Sequence, residues 1–214
     1  GSGLVGSEMC IRDRYRKEVN IPTDWKQQDI SLFLERCHWE TRLWVDDKEI
    51  GMQNTLGTPH QYDLSDVLTP GKHTLTLRID NRIKDIDPGE NSHSISDHTQ
   101  GNWNGVIGDM CLQVRPQVNI AHTDIYPDIS AKNIRVKTCL KNRKKTKVTA
   151  ILTLKANGKS IQQEVVLLPG ENKTETILPL GDNICLWDEF NPNLYTLKAS
   201  LTNQETTVTD THTE

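Results

Sequence analysis

The residues best suited to chemistry cluster in residues 92–105. Asp97, His98, Gln100, Asn102 and Trp103 lie there, with Gly101 and Gly105 alongside. Sugars are held by carboxylate and amide hydrogen bonds plus an aromatic face, and this stretch supplies all of these groups. Loops this long in compact domains bind ligands, cap a core or dock on a neighbour. His93, Asp97 and His98 are not spaced as ligands on a regular element, so no metal site and no cofactor is expected. The carboxylate pairs Asp46/Asp47 and Asp188/Glu189 read as solvated turn residues, because neighbours on a strand point to opposite faces. No Ser/His/Asp order, phosphate loop or nucleotide fingerprint is present. The chain thus offers binding groups, and no catalytic residue is assigned.

The elements that must position this loop read as strands. Ile30, Leu32 and Leu34 alternate with polar residues, as do Leu43 and Val45, and then Leu75, Leu77 and Ile79. That period of two marks half-buried strands. Pro70-Gly71 supplies a turn before the last of these runs. The irregular segment 81–104 follows, and residues 106–114 return the chain to the sheet. Beyond Pro116 a second set of short strands begins. Val118-Asn119-Ile120 leads to Ile125-Tyr126-Pro127, then to a strand through Ile134, Val136 and Thr138. Val148, Ala150, Leu152 and Leu154 alternate up to Asn157-Gly158, the strongest hairpin signal in the chain. Val165, Leu167 and Ile177 follow, and Tyr195, Leu197, Ala199 and Leu201 share the last face. Several short strands with turns near every ten residues read as an immunoglobulin-like sandwich.

Composition narrows the function classes. Hydrophobic residues make up 35% and charged residues 25% of 214, which describes a globular chain and not a disordered one. A net charge of −4 gives no bulk pull toward nucleic acid, and no apolar run is long enough to span a bilayer. Cys37, Cys111, Cys139 and Cys185 form no CxxC pair, so single buried thiols in strands are expected, with a disulfide open if the chain is exported. Trp39, Trp44 and Trp187 are read as core residues, and Trp25 as a cap on the first sandwich. The basic run at 141–147 is read as a solvated hairpin tip, with a phosphate or polyanion site as the alternative. Asn172-Lys173-Thr174 matches a glycosylation sequon, a pattern common by chance.

Three pieces of the first half carry a family resemblance. They are Trp44-Val45-Asp46-Asp47-Lys48-Glu49-Ile50-Gly51, then Tyr62-Asp63-Leu64-Ser65-Asp66-Val67-Leu68, then Pro70-Gly71-Lys72-His73-Thr74-Leu75-Thr76-Leu77-Arg78-Ile79-Asp80-Asn81. In this order they resemble the N-terminal sugar-binding jelly-roll domain of family 2 glycoside hydrolases. Leu186-Trp187-Asp188-Glu189-Phe190-Asn191-Pro192-Asn193-Leu194-Tyr195 resembles a signature of the sandwich that follows it in that family, departing from it at Phe190-Asn191. Asp46-Asp47 replaces the usual Asn-Gly, so a looser or longer turn is expected there.

The resemblance implies an all-β chain: a jelly-roll (galactose-binding-like) β-sandwich over 15–116 and an immunoglobulin-like β-sandwich over 117–214. It implies that both catalytic carboxyl groups, which a retaining enzyme holds about 5–5.5 Å apart, lie on a barrel outside these domains, because no alternating βα pattern occurs here. The chain would be a non-catalytic fragment whose partners are the carbohydrate substrate and the missing catalytic barrel of the same chain, with no nucleic acid and no membrane. Asp97, His98, Gln100, Asn102 and Trp103 would be substrate-side residues. A free-standing carbohydrate-binding protein and a two-sandwich adhesion module are the alternatives. Residues 4–14 resemble a translated sequencing adapter, so 1–14 are read as a non-native scar that takes Cys10 with it, and a native start is expected near Tyr15. Compartment stays open, with a periplasmic or secreted location favoured over a cytoplasmic one.

Overall fold

The computed structural model describes residues 12–82, 103–203 and 207–213. The chain divides into two compact units, residues 1–114 and 115–214. Both are built from antiparallel strands, and each closes around its own core.

The first unit is a jelly-roll-type sandwich of two sheets. Strands β1 (Arg12–Ile21), β2 (Asp29–His38), β3 (Glu40–Val45), β4 (Lys48–Asn54), β5 (His60–Asp63), β6 (Gly71–Asp80) and β7 (Gly105–Arg115) form it. One sheet runs β1-β6-β3-β4 and the other β5-β2-β7. The alternating residues turn inward as their spacing requires: Ile30, Leu34, Leu43, Val45 and Ile79 are all buried. Trp25 closes a short 3-10 turn, Thr23–Trp25, and packs against this core. β1 begins at Arg12, so Arg12, Asp13 and Arg14 pair with Asp80, Ile79 and Arg78. The strand therefore starts three residues ahead of Tyr15. Ladder hydrogen bonds use the backbone alone, so they accept side chains of any origin.

The Asp46-Asp47 hairpin keeps a two-residue loop, with Val45 opposite Lys48. Asp46 takes the left-handed conformation at φ 53. The irregularity expected at this hairpin sits two pairs further in, where the register shifts between Leu43 and Trp44. Asp46 is then tied to β6. Its Oδ1 accepts from the Thr74 amide at 2.8 Å and its Oδ2 from His73 Nδ1 at 2.8 Å. These bonds, first the amide and then the ring, hold the Asp46 carboxyl below its ordinary pKa.

The second unit is an immunoglobulin-like sandwich. Its strands are β8 (Val118–Asp128), β9 (Asn133–Asn142), β10 (Val148–Ala156), β11 (Lys159–Leu167), β12 (Gly170–Pro179), β13 (Thr196–Thr202) and β14 (Thr207–Thr213). The sheets run β11-β10-β13-β14 and β12-β9-β8. Asn157 and Gly158 both have positive φ, 46 and 70, which closes the β10–β11 hairpin in the primed geometry. Val118–Ile120 and Ile125–Pro127 lie in one continuous strand, β8. The pairing with β9 slips between Ile120 and His122, and a bulge absorbs the slip without ending the strand.

Several side chains depart from their expected places. Ile177 lies 55% exposed, because its neighbours Thr176 and Leu178 take the inward face of β12. Trp187 is 62% exposed and belongs to no core. Trp39 and Trp44 are half-buried and lie outside the first core, Trp44 because it alternates with inward Leu43 and Val45. Cys37 and Cys139 are buried free thiols, whereas Cys111 and Cys185 are exposed free thiols. Burial pushes the Cys37 thiol up to about 12.

Inside the first sandwich Thr41, His60 and Tyr62 form a polar network. Thr41 Oγ1 lies 2.6 Å from His60 Nδ1 and 2.6 Å from the Tyr62 hydroxyl, which donates to the Thr41 carbonyl at 3.0 Å. Burial holds His60 below the ordinary histidine pKa. The unfolded chain therefore binds a proton near its normal pKa of about 6.5, which the folded chain resists. Stability of the first unit falls as pH drops below about 6.5, and His60→Gln flattens that slope; thermal melting from pH 7.5 to 5 measures both. In the second core, fully buried Leu154 leaves a cavity when cut to alanine. Leu154→Ala costs about 2–5 kcal/mol in urea unfolding.

Candidate functional site

The candidate site is the stem of the long loop in the first unit. Three pieces of chain converge there: the β2–β3 junction, the end of β6 and the start of β7. His38 ends β2 and is 1% exposed. Its Nδ1 faces the Trp103 carbonyl. A carbonyl only accepts, so Nδ1 carries the proton. The rings of His38 and Trp103 stack at 4.8 Å with a 31° tilt, and Trp39 meets His38 edge-on at 6.1 Å across a cis peptide. The half-buried Trp103 ring is thus seated on His38 and is not a free platform.

Two carboxylates flank this aromatic group. Glu40 is buried and accepts from Arg78 Nη2 at 2.5 Å. Asp80 is fully buried and takes a two-pronged contact from Arg82, with Nε on Oδ1 and Nη2 on Oδ2, both at 2.9 Å. Such fork-on-fork pairs hold geometry as well as charge. The stem is closed from β1. Asn104 Nδ2 donates to Asp13 Oδ2 at 2.7 Å, and Gly105, at φ +116, lies where a Cβ would sit 3.1 Å from the Tyr15 hydroxyl. Both the dihedral and the close approach suit glycine there.

Of the residues singled out by type, Trp103 stands at this stem. Asp97, His98, Gln100 and Asn102 lie outside the described residues, as does the His93 grouping. His38, Trp39, Glu40, Arg78, Asp80 and Arg82 were missed by sequence reasoning. The available signal was charge at strand ends, which by itself reads as solvated surface. Glu40 and Asp80 are occupied by arginines and Asp13 by Asn104, so the described part of the stem supplies apolar faces beside fixed polar groups. Among the described residues no group of His, Cys, Asp and Glu could hold a metal. The other carboxylate pairs behave as turn residues. Asp188 Oδ1 accepts from the amides of Phe190 at 2.9 Å and Asn191 at 2.7 Å, and these bonds lower its pKa.

A second concavity lies in the second unit. It measures about 300 Å³ and is lined by Ile125, Ile129, Ile134, Leu186, Trp187 and Tyr195, among others. Its lining is mainly apolar, with Asp128, Asn133, Asn193 and Tyr195 among its polar members.

These two strand-built units define an all-β protein of paired sandwiches. Residues 118–214 match the model of glycosyl hydrolases family 2. Relatives include the β-galactosidase of Clostridium acetobutylicum, 24% identical over 72% of this chain and 17% of its own length. The β-galactosidase of Psychromonas ingrahamii is 22% identical over 92% of the chain and 20% of its own length. The chain thus spans about a fifth of the length of these relatives. Among solved structures, β-glucuronidase 2 of Bacteroides uniformis superposes with a TM-score of 0.78 at 20% identity, over 95% of this chain and 26% of that one. The β-galacturonidase of Eisenbergiella tayi gives 0.73 at 17% identity, over 95% and 36%. The second unit thus matches the model of glycosyl hydrolases family 2, and the chain as a whole shares the fold of these solved structures.

Removing Arg82 leaves the Asp80 carboxylate buried without its fork. Arg82→Ala therefore destabilises the first unit by about 3 kcal/mol in urea unfolding, and Arg82→Lys recovers part of that loss.

Proposed function

We propose that this chain is the non-catalytic, two-sandwich part of a family 2 glycoside hydrolase. Its catalytic barrel cleaves O-glycosidic bonds by double displacement through a glycosyl-enzyme intermediate. The sandwiches support that barrel, and the segment entering at Arg82 and returning at Trp103 lends groups to the sugar pocket. On this reading Asp97, His98, Gln100 and Asn102 face the substrate, while Trp103 both contacts the sugar side and anchors the loop on His38. The observation that carries the reading is the family match across residues 118–214.

The shape of the stem supports the role given to the loop. A flexible loop must be ordered before it binds, and that ordering weakens binding. Here the two ends of the loop are held in advance, by the Asp80–Arg82 fork on one side and the His38–Trp103 stack on the other. The solved relatives are a β-glucuronidase and a β-galacturonidase, and the curated ones are β-galactosidases. Uronides and galactosides are therefore the substrate classes to try first.

The isolated protein should hydrolyse none of the p-nitrophenyl galactosides, glucuronides, galacturonides or mannosides. The polypeptide encoded by the complete reading frame should hydrolyse at least one. In that polypeptide Trp103→Ala should raise KM about tenfold with little change in kcat, as expected for a residue that holds substrate outside the bond-breaking step. Turnover by the isolated protein, or none by the complete polypeptide, would overturn the proposal.

A further inference from the structure

The second unit is electrically lopsided. Residues 129–163 contain ten Lys and Arg and no Asp or Glu. The other residues then hold fifteen Lys and Arg against 29 Asp and Glu, a net charge of −14. The cationic stretch is β9, the following loop, β10 and the turn after it. On the outward face of β9 the charge is met by neighbours: Arg135 and Lys137 lie opposite Glu175 and Ile177 of β12 and opposite Asp124 and Tyr126 of β8. Arg135 reaches Glu175 at 4.0 Å. The β9–β10 loop carries a denser run of cations. Arg143, Lys144, Lys145 and Lys147 follow each other there, and Lys145 and Lys147 form no ion pair with any described residue.

The loop is also built to keep its shape. Asn142 is fully buried at its base. Its Nδ2 donates to the carbonyls of Thr146 and Leu167, each at 3.0 Å, and its Oδ1 accepts from the Lys144 amide at 2.9 Å. The Arg143 amide donates to the Gln117 carbonyl at 2.8 Å. Four cations are therefore displayed on a backbone that needs little ordering. Beside the loop runs a groove of about 630 Å³, lined by Lys144, Thr146, Lys147, Thr149, Thr202 and Glu164 among others. Its hydroxyls and ammonium groups suit a hydroxyl-rich anion, and Glu164 opposes one at the far wall. Among the described residues that line the groove none is aromatic, and stacking on rings is what single-stranded nucleic acid uses. The −14 carried elsewhere disfavours a rod as densely charged as duplex DNA.

We propose that the β9–β10 loop and its groove form a binding site for an acidic polysaccharide, separate from the loop stem of the first unit. The proposal goes beyond the glycosidase reading and shares only its carbohydrate chemistry. It is tested by binding alone, so loss of hydrolytic activity and loss of this site are told apart. The probe is polygalacturonate cast into native gels, with neutral galactan and duplex DNA as comparison polymers. Polygalacturonate should retard the 214-residue protein at about 50 mM salt and lose its grip near 0.5 M, as for any contact made by screened charges. Neutral galactan should not retard it, and DNA should retard it less than polygalacturonate does. K144S/K145S/K147S should weaken retardation about tenfold while melting at the wild-type temperature. K155S/K159S, which removes charge from the opposite end of the same stretch, should bind as wild type. Equal retardation of wild type and the triple variant would overturn the proposal. So would equal losses in both variants, which would mean diffuse charge, or tighter retention by DNA.

Discussion

One-sided burial is the constraint from which the rest follows. A strand in either sandwich commits alternate residues to the space between two sheets and leaves the others to solvent. The core is therefore made from half of each strand, as with Leu43 and Val45 in β3 or Leu197, Ala199 and Leu201 in β13. The other half is released from packing and carries charge. This division lets the outward face of β9 hold a line of cations while Ile134, Val136 and Leu140 close the core beneath.

Two groups of polar side chains that enter the interior are held in networks. Thr41, His60 and Tyr62 share their hydrogen bonds, and Asn142 spends its amide on three backbone groups at once. Each network lies where a strand gives way to a loop or crosses to the facing sheet, so it fixes local geometry at points where ladder bonding stops. The loop stem obeys the same logic. Asp80 is fully buried at the end of β6, and an arginine two residues on accompanies it.

Much of the fold was legible because periodicity reports burial directly. The strands through Ile30, Leu75 and Leu152 were readable from spacing, and the Asn157-Gly158 hairpin from the positive φ that these residues tolerate. Register and bulges were not. The slip near Ala121 leaves no mark on composition, so the bulge within β8 was not readable. Trp187 and Ile177 failed for a different reason: hydropathy gives a preference and not a direction, so Ile177 yields the inward position to its strand neighbours and Trp187 lies exposed in a segment that belongs to no strand. Of the site, Trp103 was legible by residue type. Its partner His38 was not, because the pairing joins residues far apart in sequence that only the closed sandwich brings together. The stem arginines were illegible for the same reason, since a charge that neutralises a buried acid has the same letter as one that faces water.

The hairpin at Asn157 also acts as a slow chemical clock. Its side-chain amide donates to the Leu180 carbonyl at 2.9 Å, latching the turn to the segment after β12. A following glycine leaves the next backbone nitrogen unshielded, the arrangement in which asparagine most readily loses ammonia through a cyclic imide. The resulting carboxylate would face a carbonyl with no proton to share, and the isoaspartyl product would lengthen the backbone within a two-residue turn. Ageing of stored material would therefore register at this corner of the second sandwich, as at the other Asn-Gly pair, Asn104-Gly105, in the form of an acidic charge variant.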